Sequence, residues 1–99
     1  MEIEYSRGDR KGILRIVDEG KARGWISYQE VGTDRWLIDH TVVFPEYEGQ
    51  GVGRKLVLAL AEEARKSKRK VIPQCSFARL VFERNANLHD LLVGSVEGR

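Results

Sequence analysis

The apolar positions along this chain first change period after Phe44. Up to Phe44 they gather in short runs rich in β-branched and aromatic residues: Ile3–Tyr5, Gly12–Val17, Ala22–Val31 and Trp36–Phe44. Between the runs stand SRGDRK, DEGK and GTD, which carry the residues that tight turns require. This pattern predicts four strands in an antiparallel meander joined by hairpins. After Pro45 the period lengthens. Val52, Leu56, Leu60 and Ala64 recur every four residues between Gly51 and about Lys66. Val57 and Ala61 lie beside that stripe and Glu62, Glu63 and Arg65 elsewhere on the surface, as in an amphipathic helix. Lys70–Cys75 returns to strand character through Val71 and Ile72, and Ser76 to about Ala86 fits a second helix with Ser76 as its N-cap. In the ending LHDLLVGSVEGR, Leu88, Leu91 and Leu92 are expected to pack before the chain frays.

The element order β, β, β, β, α, β, α contains one crossover, from Trp36–Phe44 through the long helix to Lys70–Cys75. Such a crossover makes its two strands parallel, with right-handed connection. The expected fold is therefore α+β: a four-stranded antiparallel meander, a helix, a parallel fifth strand and a C-terminal helix. No repeat, low-complexity tract or linker divides residues 1–99, so one small domain is expected. With 41% hydrophobic and 32% charged residues, the composition is that of an ordinary globular domain. A chain of 99 residues buries a modest core, and association as a homodimer would help it.

Several classes of function lose support. No apolar run approaches the roughly 20 residues that cross a bilayer, and MEIEYSRGDRK lacks the apolar centre of a signal peptide. A cytoplasmic protein with no membrane partner is expected. Cys75 is the only cysteine, so no internal disulfide forms, and no Cys/His cluster has the spacing of a zinc site. The net charge of +2 does not by itself argue for nucleic acid. The run Arg65–Lys70 puts five positive charges in six residues, but it follows the long helix, where cations complement the negative end of the dipole. An RNA-binding α+β domain using this run is the weakest rival, because the aromatic pattern of an RNA-recognition sheet is missing.

The chemistry concentrates in EGQGVGRKL, Glu48–Leu56, where three glycines occupy alternate positions just before the helix. A strand, a glycine-rich turn and a helix N-terminus together make an anion site, since unpaired amides converge there. Lys55 is followed by Leu56 rather than a hydroxyl residue, which excludes a Walker A loop. Gly49, Gly51 and Gly53 lack the dinucleotide spacing, and Ser67–Arg79 contains no acid to hold a ribose.

Gly51 and Gly53, preceded by Gly49 and Gln50, resemble the pyrophosphate-binding signature [Q/R]-x-x-G-x-[G/A] of the GNAT superfamily of N-acetyltransferases. The first signature position is Glu48, where the family generally has Gln or Arg. The segments IDHTVVFPEYEGQGVGRKLV and VIPQCSFARLVFERN look like the YjdJ-type small N-acetyltransferases, in which a strand ending H-T-x-V precedes the turn and a P-x-C-x-[FY] element follows the helix. This resemblance implies acetyl-CoA as cosubstrate, with no metal. It implies a cofactor-binding turn of Glu48, Gly49, Gln50, Gly51, Val52, Gly53 and Arg54, with the diphosphate held by Gln50 to Arg54 and the pantetheine arm and acetyl carbonyl by backbone groups of Val42 and Val43. The acceptor would be a small-molecule or protein amine.

Many larger members of the superfamily use a Tyr near the last helix as acid, but Tyr5, Tyr28 and Tyr47 all precede the turn. Cys75 is the substitute, since a thiolate at a helix N-terminus is stabilised by the dipole. His40 lies on the strand expected to pair with that of Cys75 and would act as its base, forming an acyl-cysteine. Against this stand ordinary roles, a buried small apolar residue for Cys75 and a hydrogen-bonded sheet histidine for His40. His89 has no evident partner. Trp25, Trp36, Phe44, Phe77 and Phe82 have the spacing of core residues rather than of a ligand wall. The principal alternative is a CoA-binding module with little or no catalysis.

Overall fold

The computed structural model of the chain describes residues 2–93. Five strands form one sheet in sequential order: β1 Glu2–Gly8, β2 Lys11–Asp18, β3 Lys21–Val31, β4 Arg35–Val43 and β5 Lys70–Pro73. The first four pair antiparallel, as the meander pattern requires, and β5 pairs parallel to β4. The β2–β3 hairpin closes through Glu19 and Gly20, both at positive φ, whose twist suits a two-residue turn. Helix α1 (Val52–Lys66) supplies the crossover and α2 (Ser76–Arg84) follows β5.

Strand alternation decides which face α1 covers. Leu14 and Ile16 of β2, Ile26 and Tyr28 of β3, and Trp36 and Ile38 of β4 point under the helix and are almost fully buried. Leu56, Val57, Leu60 and Ala64 of α1 meet them, and none of these four retains exposed surface. Burial of this one stripe supplies the main drive for α1, at roughly 2 kcal/mol per large aliphatic side chain. No helix among the described residues is long and apolar enough to cross a membrane.

Three local features differ from the sequence expectations. Ser76 is the first residue of α2 rather than its cap; Cys75 occupies the cap position, without a capping side-chain hydrogen bond. β5 ends at Pro73, because Gln74 and Cys75 both turn their amides to the carbonyl of Ile38. α2 ends at Arg84, where Asn85 leaves helical geometry, and Ala86–Leu91 forms a 3-10 segment. There Leu88 and Leu91 are buried, as is the following Leu92; the expected fraying beyond them lies outside the described residues. In the basic run, Arg65 has a specific task, pairing with Asp90 at 2.6 Å and donating to the Asn87 carbonyl, so it ties this segment to the end of α1.

Two bulges shape the sheet where function is expected. In β3, Arg23 is an extra residue between Ala22, opposite Val17, and Gly24, opposite Ile16. In β4, Asp39 is extra between Ile38, opposite Tyr28, and His40, opposite Ser27. A bulge redirects side chains and ends regular pairing. β4 and β5 pair only as far as Ile38 and Pro73, just before the second bulge.

Candidate active site

Beyond Ile38 the β5-facing edge of β4 is left open, and a cavity of about 640 Å³ occupies the gap. Thr41, Val42 and Val43 form one side of it. The glycine turn forms the other, with Tyr47, Glu48, Gly49, Gly51, Val52, Gly53 and Arg54, while Phe77 of α2 closes the end.

The three glycines serve two different needs. Gly49 and Gly51 adopt left-handed backbone, with φ of +82° and +79°, and the space where a Cβ would stand is open at both. Their requirement is conformational. Gly53 is different: a Cβ there would lie 2.8 Å from the Phe77 ring and 3.4 Å from a Val43 methyl. Its requirement is close approach of α2 and β4 to the first turn of α1. Gly51 is the N-cap, and the Lys55 amide makes the first bond of the helix, to the Gly51 carbonyl at 3.1 Å. The amides of Val52, Gly53 and Arg54 therefore stand outside the helical ladder at the positive end of the dipole. This wall suits the oxygens of a diphosphate.

Side chains support the turn from behind. The bulged Arg23 pairs with Asp18 at 2.6 Å, donates to the Gln50 side-chain carbonyl at 3.3 Å and lies 4.5 Å from the centre of the Tyr47 ring. Gln50 is thus engaged with β3, and it does not line the cavity as its neighbours do. Glu48 does line it, and brings negative charge beside the place suited to an anion.

Cys75 sits behind Thr41, its thiol donating to the Thr41 hydroxyl at 3.5 Å. Partial burial pushes the thiol up, but the Thr41 hydroxyl and the amides of Ala78, Phe77 and Thr41 favour the thiolate more strongly. Its pKa is lowered as a result. His40 is not its partner. The extra residue at Asp39 resets the alternation, so Thr41 faces α1 with Ile26, whereas His40 lies opposite Ser27 on the uncovered face. There it is exposed, with its ring 6.5 Å from that of Trp25 in an edge-on arrangement. The structure brings Cys75 to the α1 side of β4 and His40 to the other.

Three residues that the sequence reading did not place at the site contribute here. Thr41 was visible in the H-T-x-V element, but its contact with Cys75 depends on how far β4 and β5 splay. Tyr47 follows from the 3-10 turn Pro45–Tyr47, which carries its ring to the cavity rim. Phe77, expected in the core, is 42% exposed and lines the cavity, while Trp36 and Phe82 are buried. The His89 ring lies 3.3 Å from the Glu83 carbonyl, and its own carbonyl accepts from the Leu92 amide at 3.1 Å.

Comparison with known proteins agrees with this geometry. A family model described as GCN5-related N-acetyl-transferase matches residues 13–91. None of the curated proteins compared matches the sequence. A GCN5-like protein from Staphylococcus aureus, solved in solution, is 38% identical over 91% of this chain and 87% of its own, with a TM-score of 0.67. The ribosomal-protein-S18-alanine N-acetyltransferase of Escherichia coli is 24% identical, with a TM-score of 0.65; 78% of this chain covers 52% of that enzyme. An aminoglycoside 6'-N-acetyltransferase complexed with coenzyme A shares the fold at 22% identity, over 58% of this chain and 32% of that one, with a TM-score of 0.54. With the family match spanning the sheet from β2, the glycine turn and both helices, the chain belongs to the GCN5-related N-acetyltransferase family.

Proposed function

We propose that the protein is a small N-acetyltransferase of the YjdJ type, which moves an acetyl group from acetyl-CoA to a primary amine by way of Cys75. The observation that carries this reading is the cavity between the open edge of β4 and the glycine turn, with the Cys75 thiol behind Thr41. The amides of Val52, Gly53 and Arg54 hold the diphosphate, and the open backbone of Val42 and Val43 orients the pantetheine arm. A second hollow of about 390 Å³, flanked by Arg54, Arg84 and Asn85 and floored by Phe77 and Leu80, adjoins this wall and suits the nucleotide end.

In the first half-reaction the Cys75 thiolate attacks the thioester carbonyl. A bond from sulfur to the acetyl carbon forms, the bond to the CoA sulfur breaks, and CoA leaves as a thiolate that takes a proton from water. In the second, the neutral amine attacks the acetyl-cysteine carbonyl. The amide bond forms, the Cys75 sulfur departs with its electron pair, and the amine's proton passes to His40 on the uncovered face of the sheet and then to water. His40 thus serves the amine rather than the thiol.

Two measurements test the reading. Acetyl-CoA supplied without acceptor should leave one acetyl group on Cys75, detected by peptide mass spectrometry. Turnover over an amine panel should fall about 100-fold in Cys75→Ala and about tenfold or more in His40→Ala. An unmodified Cys75 together with full turnover by Cys75→Ala would remove the covalent step. Absence of acetyl-CoA binding by calorimetry would remove the whole assignment.

A further inference from the structure

A hollow of about 920 Å³ lies apart from the cavity beside the glycine turn. It lies on the uncovered face of the sheet, where Ile13, Ser27, Gln29 and Asp39 alternate with the buried Leu14, Ile26, Tyr28 and Ile38, and it runs to the β1–β2 hairpin. Its end nearest the cofactor is marked by the bulge. Asp39 lines this hollow and Thr41 lines the cofactor cavity, with only His40 between them. Two residues along a strand span about 7 Å, so the two spaces approach one another across β4 where β5 has already turned away.

The two ends of the hollow differ in charge. At the β4 end the Asp39 carboxylate accepts from the Ser27 hydroxyl and, at 3.0 Å, from the Gln29 side-chain amide. Those bonds fix its orientation and leave lone pairs for a further donor. Partial burial raises its pKa, but the hydrogen bonds from Ser27, Gln29 and its own backbone, with His40 nearby, outweigh burial and keep it ionised. At the hairpin end stand Arg7, Arg10 and Lys11, with Asp9 and Glu30. Arg10 is turned to the carbonyls of Glu30 and Gly32, and Arg7 leans toward Tyr5. Lys11 lies opposite Gln29 and so shares the face of Asp39, about two strand spacings or roughly 10 Å away.

We infer that this hollow is the acceptor site and takes a primary alkylamine with a carboxylate at its far end, the ammonium held by Asp39 and the carboxylate by Lys11. The inference rests on the N-acetyltransferase reading and names the acceptor class for it. Asp39 binds and aims the amine; His40, the next residue, stands where the amine's proton must leave. An ω-amino acid such as ε-aminocaproate has a length that matches the gap, whereas a diamine of equal length would bring a second cation against Lys11.

The test compares ε-aminocaproate, hexylamine and hexamethylenediamine as acceptors, with acetyl-CoA affinity measured separately by calorimetry. The wild-type protein should use ε-aminocaproate with the lowest KM. Asp39→Asn should raise the KM for ε-aminocaproate and for hexylamine by about 30-fold, the size of one charge-assisted hydrogen bond, without changing acetyl-CoA affinity. Lys11→Gln should raise the KM for ε-aminocaproate about fivefold and leave that for hexylamine unchanged. In the CoA-loaded wild-type protein, titration with ε-aminocaproate should shift the amide resonances of Lys11, Ser27, Gln29 and Asp39, a readout that does not depend on how the variants fold. Unshifted resonances there, or amine KM values indifferent to both substitutions while acetyl-CoA still binds and turns over, would overturn the acceptor assignment alone. Failure of acetyl-CoA to bind the wild-type protein would sink it together with the reading beneath it.

Discussion

The glycine turn and the Cys75–His40 region are built from different materials. The turn is a backbone device: two left-handed glycines, a third with no room for a side chain, and three amides before the first helical bond. The chemical region is a side-chain device, in which Cys75, Thr41, His40 and Asp39 owe their positions to a splayed strand pair and one inserted residue. A backbone device leaves its mark in the sequence, because only glycine tolerates those conformations. A side-chain device depends on which face of a strand each residue meets, and a single bulge reverses that.

If this contrast holds, substitutions on one side should change binding and those on the other should change turnover. The largest effect on binding is expected at Gly51, where a β-branched residue at φ +79° is strained by about 2 kcal/mol. Gly51→Val should weaken acetyl-CoA binding by about 30-fold in calorimetry, with a lower melting temperature. Cys75→Ala should do the reverse, leaving that affinity within about twofold while turnover collapses as described above. A variant that damages both equally would erase the distinction.

The thiol itself supplies a finer test. The lowered pKa of Cys75 means that its alkylation by iodoacetamide should reach half its limiting rate at a lower pH than an ordinary cysteine in an unfolded peptide. Thr41→Val removes a group that favours the thiolate, so the midpoint should move to higher pH. The sign for stability follows: the thiolate's contribution is present above the unfolded thiol pKa and is lost as pH falls through the lower folded value. A midpoint unmoved by Thr41→Val would show that the helix amides act without it. The smallest effect belongs to Gln50→Ala. Its exposed bond to Arg23 leaves the Asp18 pair and the Tyr47 contact in place, so acetyl-CoA affinity should change by about twofold or less.

How much of this was legible follows from the same contrast. The meander, the crossover and the amphipathic stripe of α1 were readable because alternation and four-residue recurrence are direct images of burial. The turn was readable because EGQGVG admits few backbones. The relation of His40 to Cys75 was not. In a regular strand Ile38 and His40 would share a face, which would have aimed His40 toward the helices and the thiol. The extra residue Asp39 sends it to the opposite face, and nothing in IDHTVV announces a bulge. The cap of α2 was misplaced by one residue for a related reason: serine is the better capping side chain, but the end of β5 was set by Gln74 and Cys75 turning to the Ile38 carbonyl. The hollow beside the hairpin lay beyond reach because its walls come from four strands that meet only once the sheet is assembled.

The two indoles of the molecule occupy opposite sides of that sheet. Trp36 is 1% exposed and stacks on Tyr28 with ring centres 3.9 Å apart, whereas Trp25 is half-buried on the open face beside His40. Nature has thereby fitted the protein with two independent fluorophores. Emission from Trp36 follows the integrity of the interior, and emission from Trp25 follows events at the open surface, so a pair of single-tryptophan versions would separate unfolding from occupancy in one optical experiment.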